Sequence, residues 1–148
     1  MRTVNLYTDG SCSGNPGPGG WAGILKYNEY ELIACGGELH TTNNRMELLA
    51  VIEGLKNLKQ PCKVNIYSDS QYVVNAMRLG WAKQWRKKNW KKSDNKPALN
   101  SDLWLQLLEL TEGFECCFFW VRGHSGHPEN ERCDRLAVKM AEIHSKAI

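Results

Sequence analysis

Apolar and polar residues alternate from Val4 to Tyr7, the period-two pattern of a strand with one face buried. The strand is expected to end near Asp9, because Gly10 to Gly20 is dense in Gly and Pro, which interrupt regular structure. Trp21 to Tyr27 and Glu31 to Leu39 read as two more strands, and three consecutive strands predict an antiparallel meander. The period then lengthens. Leu48, Val51, Ile52, Leu55 and Leu58 recur with helical spacing ahead of Pro61, and Asn44 with Glu47 has the spacing of a capping box. Val64 to Asp69 repeats the alternating strand that ends in an acid, and Ser70 to Met77 reads as a helix capped by Asp69 or Ser70. A strand that leads into a helix implies a parallel partner, which a right-handed crossover sets beside the first strand. Asp9 and Asp69 are then expected at one edge of the sheet, where ligands bind in folds of this kind. Leu103, Trp104, Leu107, Leu108 and Leu110 predict another amphipathic helix, and Cys116 to Val121 a buried strand. Cys133, Leu136, Ala137, Met140 and Ala141 form the apolar stripe of a last helix.

Two further acids lean toward the sheet. On a wheel of about 100° per residue Glu47 falls at the edge of the apolar arc beside Val51 and Leu58, and Asp134 borders the last stripe near Ala141. Singly, each acid has an ordinary role. Asp9 before a Gly suits a turn, Glu47 completes the cap at the positive end of its helix, and Asp134 pairs with a nearby Arg. Together, Asp9, Glu47, Asp69 and Asp134 repel one another unless cations neutralise them. Oxygen ligands without His or Cys suit Mg²⁺ or Mn²⁺. Two such ions ~3.5 to 4 Å apart activate a water and stabilise the leaving oxygen of an in-line attack on phosphorus.

The Gly-rich stretch after the first strand is not a phosphate cradle. Two prolines interrupt it, no Lys closes it, and a strand rather than a helix follows, which makes it a wide hairpin. At 148 residues the chain is expected to form one domain, spanning 1–148. No apolar run approaches a signal-peptide core or a membrane span, so we expect a soluble cytoplasmic protein with no membrane partner. Its six cysteines are then free thiols, most of them small core residues. His124 and His127 stand near Cys116, Cys117 and Cys133, but no Cys-x-x-Cys pair accompanies them, and zinc is not expected.

Charge changes the picture once. The net charge is only +3, yet eight Lys or Arg against one acid between Arg78 and Lys96 give that segment +7. The remainder carries −4. Lys83, Arg86, Lys87, Lys88, Lys91 and Lys92 stand among Trp81, Trp85 and Trp90. A helix with Trp81 and Trp85 packed beneath it accounts for those two aromatics but not for the uncompensated positives. The cations point to a phosphate backbone held beside an acidic site.

The motifs around these residues give the chain its likeness. Tyr-Thr-Asp9-Gly-Ser-Cys, Thr-Thr-Asn-Asn-Arg-Met-Glu47-Leu, Ser-Asp69-Ser-Gln-Tyr, Gly-His124-Ser-Gly-His-Pro-Glu-Asn-Glu-Arg-Cys-Asp134 and the Trp/Lys insert occur in that order over nearly the whole length. The sequence resembles the bacterial type 1 ribonucleases H. The resemblance implies an α/β fold with a mixed five-stranded sheet flanked by helices and a basic protrusion at about 81–96. It also implies cleavage of the RNA strand of RNA/DNA hybrids to 3′-hydroxyl and 5′-phosphate ends. Asp9, Glu47, Asp69 and Asp134 match the family's metal ligands, with two Mg²⁺ expected when substrate is bound and Mn²⁺ as an alternative. His124 matches a loop histidine that assists proton transfer or product departure. Cys12, Asn15, Asn43, Asn44 and Gln71 match positions against the hybrid, Thr42 matches a contact to a DNA-strand phosphate, and the insert from Trp81 matches the protrusion. A monomer with no obligate protein partner is expected. A transposase or integrase core shares the fold and an acidic site, and a non-catalytic hybrid-binding module is the other rival. Asp134, His124 and the insert argue against the first, and four acids beside a polyanion against the second.

Overall fold

The computed structural model describes residues 2–123 and 126–146. Ten elements follow in order: β1 (Thr3–Cys12), β2 (Gly17–Tyr27), β3 (Tyr30–Thr41), α1 (Asn43–Lys56), β4 (Lys63–Ser68), α2 (Gln71–Arg78), α3 (Trp81–Lys87), α4 (Ser101–Glu112), β5 (Glu115–Trp120) and α5 (Pro128–Ser145). The five strands form one sheet in the order β3-β2-β1-β4-β5. Both pairings of the meander are antiparallel, and β1–β4 and β4–β5 are parallel, the mixed sheet expected.

Alternation along the strands divides the core. Val4, Leu6, Val64, Ile66 and Phe118 face one side and are buried with Leu48, Val51, Ile52 and Leu55 of α1, Val73 and Val74 of α2, and Trp104, Leu107 and Leu108 of α4. On the other side Ala22 and Ile24 are buried with Cys133 of α5, which lies across β1, β2 and β3. Small residues permit that close approach. A Cβ on Gly20 would come within 2.6 Å of Ala141 N and Met140 Cβ.

The structure departs from expectation in several places. β1 does not stop at Asp9 but runs on to Cys12, and β2 begins at Gly17 within the Gly/Pro cluster. The register Asp9↔Ala22, Gly10↔Trp21, Ser11↔Gly20 and Cys12↔Gly19 shows why: the antiparallel partner supplies a ladder that the Gly residues alone do not forbid. β5 was expected to be buried, yet it is the edge of the sheet, and only one of its faces is covered. Phe118 is buried while Phe119 and Trp120 are 41% and 44% exposed. Of the free cysteines only Cys62 and Cys133 are buried, and Cys35 is exposed. No helix among the described residues is long and apolar enough to cross a membrane.

In the insert, Trp85 and Trp90 pack against the main core. The Trp85 ring meets Trp104 of α4 edge-on at 5.8 Å between centroids. Trp81 was expected beneath the same helix but is exposed, and Ala82 takes the buried place beside it.

Candidate active site

The parallel ladder between β1 and β4 ends at Tyr7↔Tyr67, and Asp9 and Asp69 each lie two residues beyond that last pair. As the strands part, Thr8 Oγ1 donates to the Tyr67 carbonyl at 3.2 Å in place of a ladder bond. β1 continues along β2 and carries Asp9 into the interior, only 6% exposed. Asp69 enters the turn to α2. Its backbone is held on every side: Ser70 N donates to Ser68 Oγ at 3.0 Å, Val73 N to Ser70 Oγ at 3.2 Å, and Trp120 Nε1 to the Asp69 carbonyl at 3.0 Å.

Glu47 is not part of a cap. The N-cap of α1 is Thr42, whose Oγ1 accepts from Arg45 N at 3.3 Å, so the helix starts earlier than a box from Asn44 to Glu47 requires. That places Glu47 in the second turn, pointing down at the sheet and 4% exposed. Asp9, Glu47 and Asp69 each offer a carboxylate oxygen, and the three lie within 4.8 Å of one another. Asp134 comes from α5 to line the same cavity as Asp9 and Asp69.

Crowding of acids shows in their protonation. Burial, the charge of Asp69 and the Asp134 carboxyl push Asp9 up to about 8. Burial, then the charges of Asp9 and Asp69, hold Glu47 well above the usual carboxylate range. Glu47 Oε1 and Asp69 Oδ1 are shut away from solvent with no hydrogen-bond partner among the described residues. Buried acceptors of this kind are costly unless something pairs with them, and the donor set is all oxygen, which suits a hard divalent cation. The residues present fit the cation that the sequence implies.

Around this centre Asn15 Oδ1 accepts from Asn43 N at 3.0 Å, which ties the β1–β2 turn to the start of α1. Cys12 Sγ donates to the Gly14 carbonyl at 2.7 Å. Cys12, Asn15, Thr42, Asn43 and Asn44 thus share one rim, and Asn43 and Asn44 are exposed. Gln71 is the exposed first residue of α2, two places from Asp69. Trp81, Trp85, Lys88, Lys91 and Lys92 line a groove in the insert, and Lys83 and Lys87 are exposed. Arg86 differs from the expectation of an uncompensated charge, since its guanidinium pairs with Glu112 of α4 at 2.7 Å. His124 lies outside the described residues. Sequence reasoning passed over Asn130 and Trp120; the position of Asn130 one helical turn before Asp134 was the signal available.

A mixed sheet that gathers carboxylates where two parallel strands part is the frame of a metal-dependent enzyme acting on phosphodiesters, a class that holds nucleases and strand transferases alike. The sequence profile of the RNase H family, described as "RNase H", matches residues 1–142, and the chain belongs to that family. It is 55% identical to a Ribonuclease H of Desulforamulus reducens over 96% of this chain and 89% of that one. It is 58% identical to a Ribonuclease H of Nitratidesulfovibrio vulgaris over 95% and 90%. Among solved structures it superposes with a TM-score of 0.86 and 32% identity on LC9-RNase H1, described as a type 1 RNase H with the type 2 active-site motif, over 97% of this chain and 74% of that one.

Proposed function

We propose that this chain is an endonuclease that hydrolyses the RNA strand of RNA/DNA hybrids, leaving 3′-hydroxyl and 5′-phosphate ends. The divalent cations, Mg²⁺ or alternatively Mn²⁺, are held by Asp9, Glu47, Asp69 and Asp134. The observation that carries the reading is the pair of buried, unpartnered oxygens Glu47 Oε1 and Asp69 Oδ1 within reach of Asp9. When bound, the cations supply an activated water and stabilise the leaving oxygen.

The chain's own residues do the rest. Asp9 and Glu47 would hold a cation only in their ionised form, so each would release the proton that burial and the neighbouring acids favour. Asn15, Asn43, Asn44 and Gln71 carry amides able both to donate to and accept from a ribose 2′-hydroxyl, the group that distinguishes RNA from DNA. Cys12 shares their rim, and Thr42 at the start of α1 takes a DNA-strand phosphate, where the helix N-terminus favours an anion. Lys83, Lys87, Lys88, Lys91 and Lys92, with Trp81, Trp85 and Trp90 between them, hold the phosphate backbone farther along. Arg86, paired with Glu112, ties the insert to α4. His124 assists proton transfer or product departure. The same reading makes the protein a monomer, since one chain supplies every acid, and keeps the cytoplasmic location expected from the sequence.

The test is to incubate a uniform-length RNA/DNA hybrid with Mg²⁺ and, separately, with EDTA, and to size both strands. The RNA should shorten in Mg²⁺ alone and the DNA remain intact. Shortening of both strands, or no hydrolysis in Mg²⁺, would contradict the proposal.

A further inference from the structure

Asn130 stands one turn before Asp134 on α5 and lines the cavity that Asp9, Asp69 and Asp134 share. Its Nδ2 donates to the Tyr67 carbonyl at 3.4 Å, the carbonyl on which the β1–β4 ladder ends. Its Oδ1 is closed off from solvent and meets no donor among the described residues. Exchanging the two amide atoms would set Oδ1 against the Tyr67 carbonyl, acceptor against acceptor, so the orientation with Nδ2 on Tyr67 follows from the chemistry of the pair. A buried carbonyl oxygen left without a donor costs free energy, and the anchor on Tyr67 uses only the Nδ2 end of the amide.

The missing donor has a natural source beside it. Mg²⁺ loses water reluctantly and keeps several waters when bound by carboxylates. Those waters are polarised by the ion and donate strongly. Partners beyond the direct ligands orient a metal site and are worth about 10- to 100-fold in affinity. We propose that Asn130 is a positioning residue that accepts, through Oδ1, a hydrogen bond from a water carried by the cation of the acidic cavity, with Nδ2 anchored on Tyr67. The proposal rests on the reading of that cavity as a Mg²⁺ site. It adds to the four carboxylates a neutral acceptor that places a water without adding a fifth negative charge to a crowded centre.

The test is calorimetric titration of Mg²⁺, without substrate, into the wild type, Asn130→Ala and Asn130→Asp, with melting of each in EDTA to establish that all are folded. Asn130→Ala should bind Mg²⁺ about 10- to 100-fold more weakly. Asn130→Asp keeps an acceptor oxygen for the water, sets its other oxygen against the Tyr67 carbonyl in place of the Nδ2 donor, and adds a charge that attracts the cation, so it should bind Mg²⁺ at least as tightly as the wild type. Equal affinity in the wild type and Asn130→Ala overturns this proposal alone. Equal weakening in both variants also overturns it, because the broken anchor on Tyr67 then explains the effect. A wild-type protein that takes up no Mg²⁺ overturns the metal reading of the cavity, and this proposal with it.

Discussion

Gly10 lies directly against the backbone of Glu47: a Cβ on Gly10 would collide with the Glu47 amide nitrogen and come within 2.9 Å of Met46 Cβ. This crossing lets β1 pass under α1 at the level of the acids. With Gly10 N donating to Asp9 Oδ1 at 2.9 Å, it sets how closely Asp9 and Glu47 approach. A side chain at Gly10 must push α1 away from β1. Gly10→Ala is therefore expected to cost about 1–3 kcal/mol of stability and to weaken Mg²⁺ binding by separating Glu47 from Asp9. Gly113→Ala serves as the control, since its Cβ would meet nothing nearer than Leu110 O at 3.5 Å. Thermal melting and Mg²⁺ titration of both variants check the point; a Gly10→Ala protein as stable as the wild type would show that the two elements can part without loss.

The raised protonation of Asp9 makes stability depend on pH in a definite direction. The carboxyl ordinarily titrates at 3.8 and is pushed up to about 8 in the fold, so between those values the folded state holds a proton that the unfolded chain has lost. Stability that rests on that proton is full below about 4 and is lost as pH rises toward about 8, with a slope of about 1.4 kcal/mol per pH unit for one proton. Glu47 acts in the same direction. In EDTA the difference in Tm between Asp9→Asn and the wild type should therefore grow in favour of the variant from pH 5 to pH 8. Mg²⁺, which needs the ionised oxygens, should stabilise the wild type most at the alkaline end. A Tm difference independent of pH would mean that Asp9 is ionised in the metal-free fold.

The lysines of the insert carry no group able to hold a metal or move a proton at neutral pH, and none of them lines the acidic cavity. Replacing Lys87, Lys88, Lys91 and Lys92 by Ala should raise KM and leave kcat largely unchanged, because binding energy common to ground and transition states is removed. For each phosphate no longer neutralised, the plot of log affinity against log salt should flatten by up to about one unit. Steady-state kinetics at several salt concentrations reads both quantities. A fall in kcat with KM and salt slope unaltered would show that the insert shapes the active centre.

The sequence made the elements legible because their periods were clean: Val4 to Tyr7 and Val64 to Asp69 alternate, and the α1 and α4 stripes recur at helical spacing. The parallel pairing of β1 with β4 followed from strand-to-helix order. It led to Asp9 and Asp69 at matching positions past Tyr7↔Tyr67. What escaped depended on neighbours distant in the chain. The extension of β1 through Asp9 needs β2 as its partner, and the exposure of Phe119 follows from α5 lying across β1, β2 and β3 rather than over β5. The capping residue shifted because Asn44 and Thr42 are both competent caps, and only the entry of the chain from β3 decides between them. Arg86 looked free until α4 brought Glu112 to it. Asn130 was missed because an amide on a helix is ordinary until its carbonyl oxygen is found buried and alone.

Whether Asp9 holds a catalytic cation is read from single-turnover cleavage of an RNA/DNA hybrid by Asp9→Asn at saturating Mg²⁺. The substitution hardly changes side-chain volume, so the protein should fold, but it removes a charge from the oxygen set within 4.8 Å that Asp9 forms with Glu47 and Asp69. Nearly all activity should be lost, in the rate of cleavage rather than in hybrid binding. Cleavage at the wild-type rate by a folded Asp9→Asn protein would contradict it.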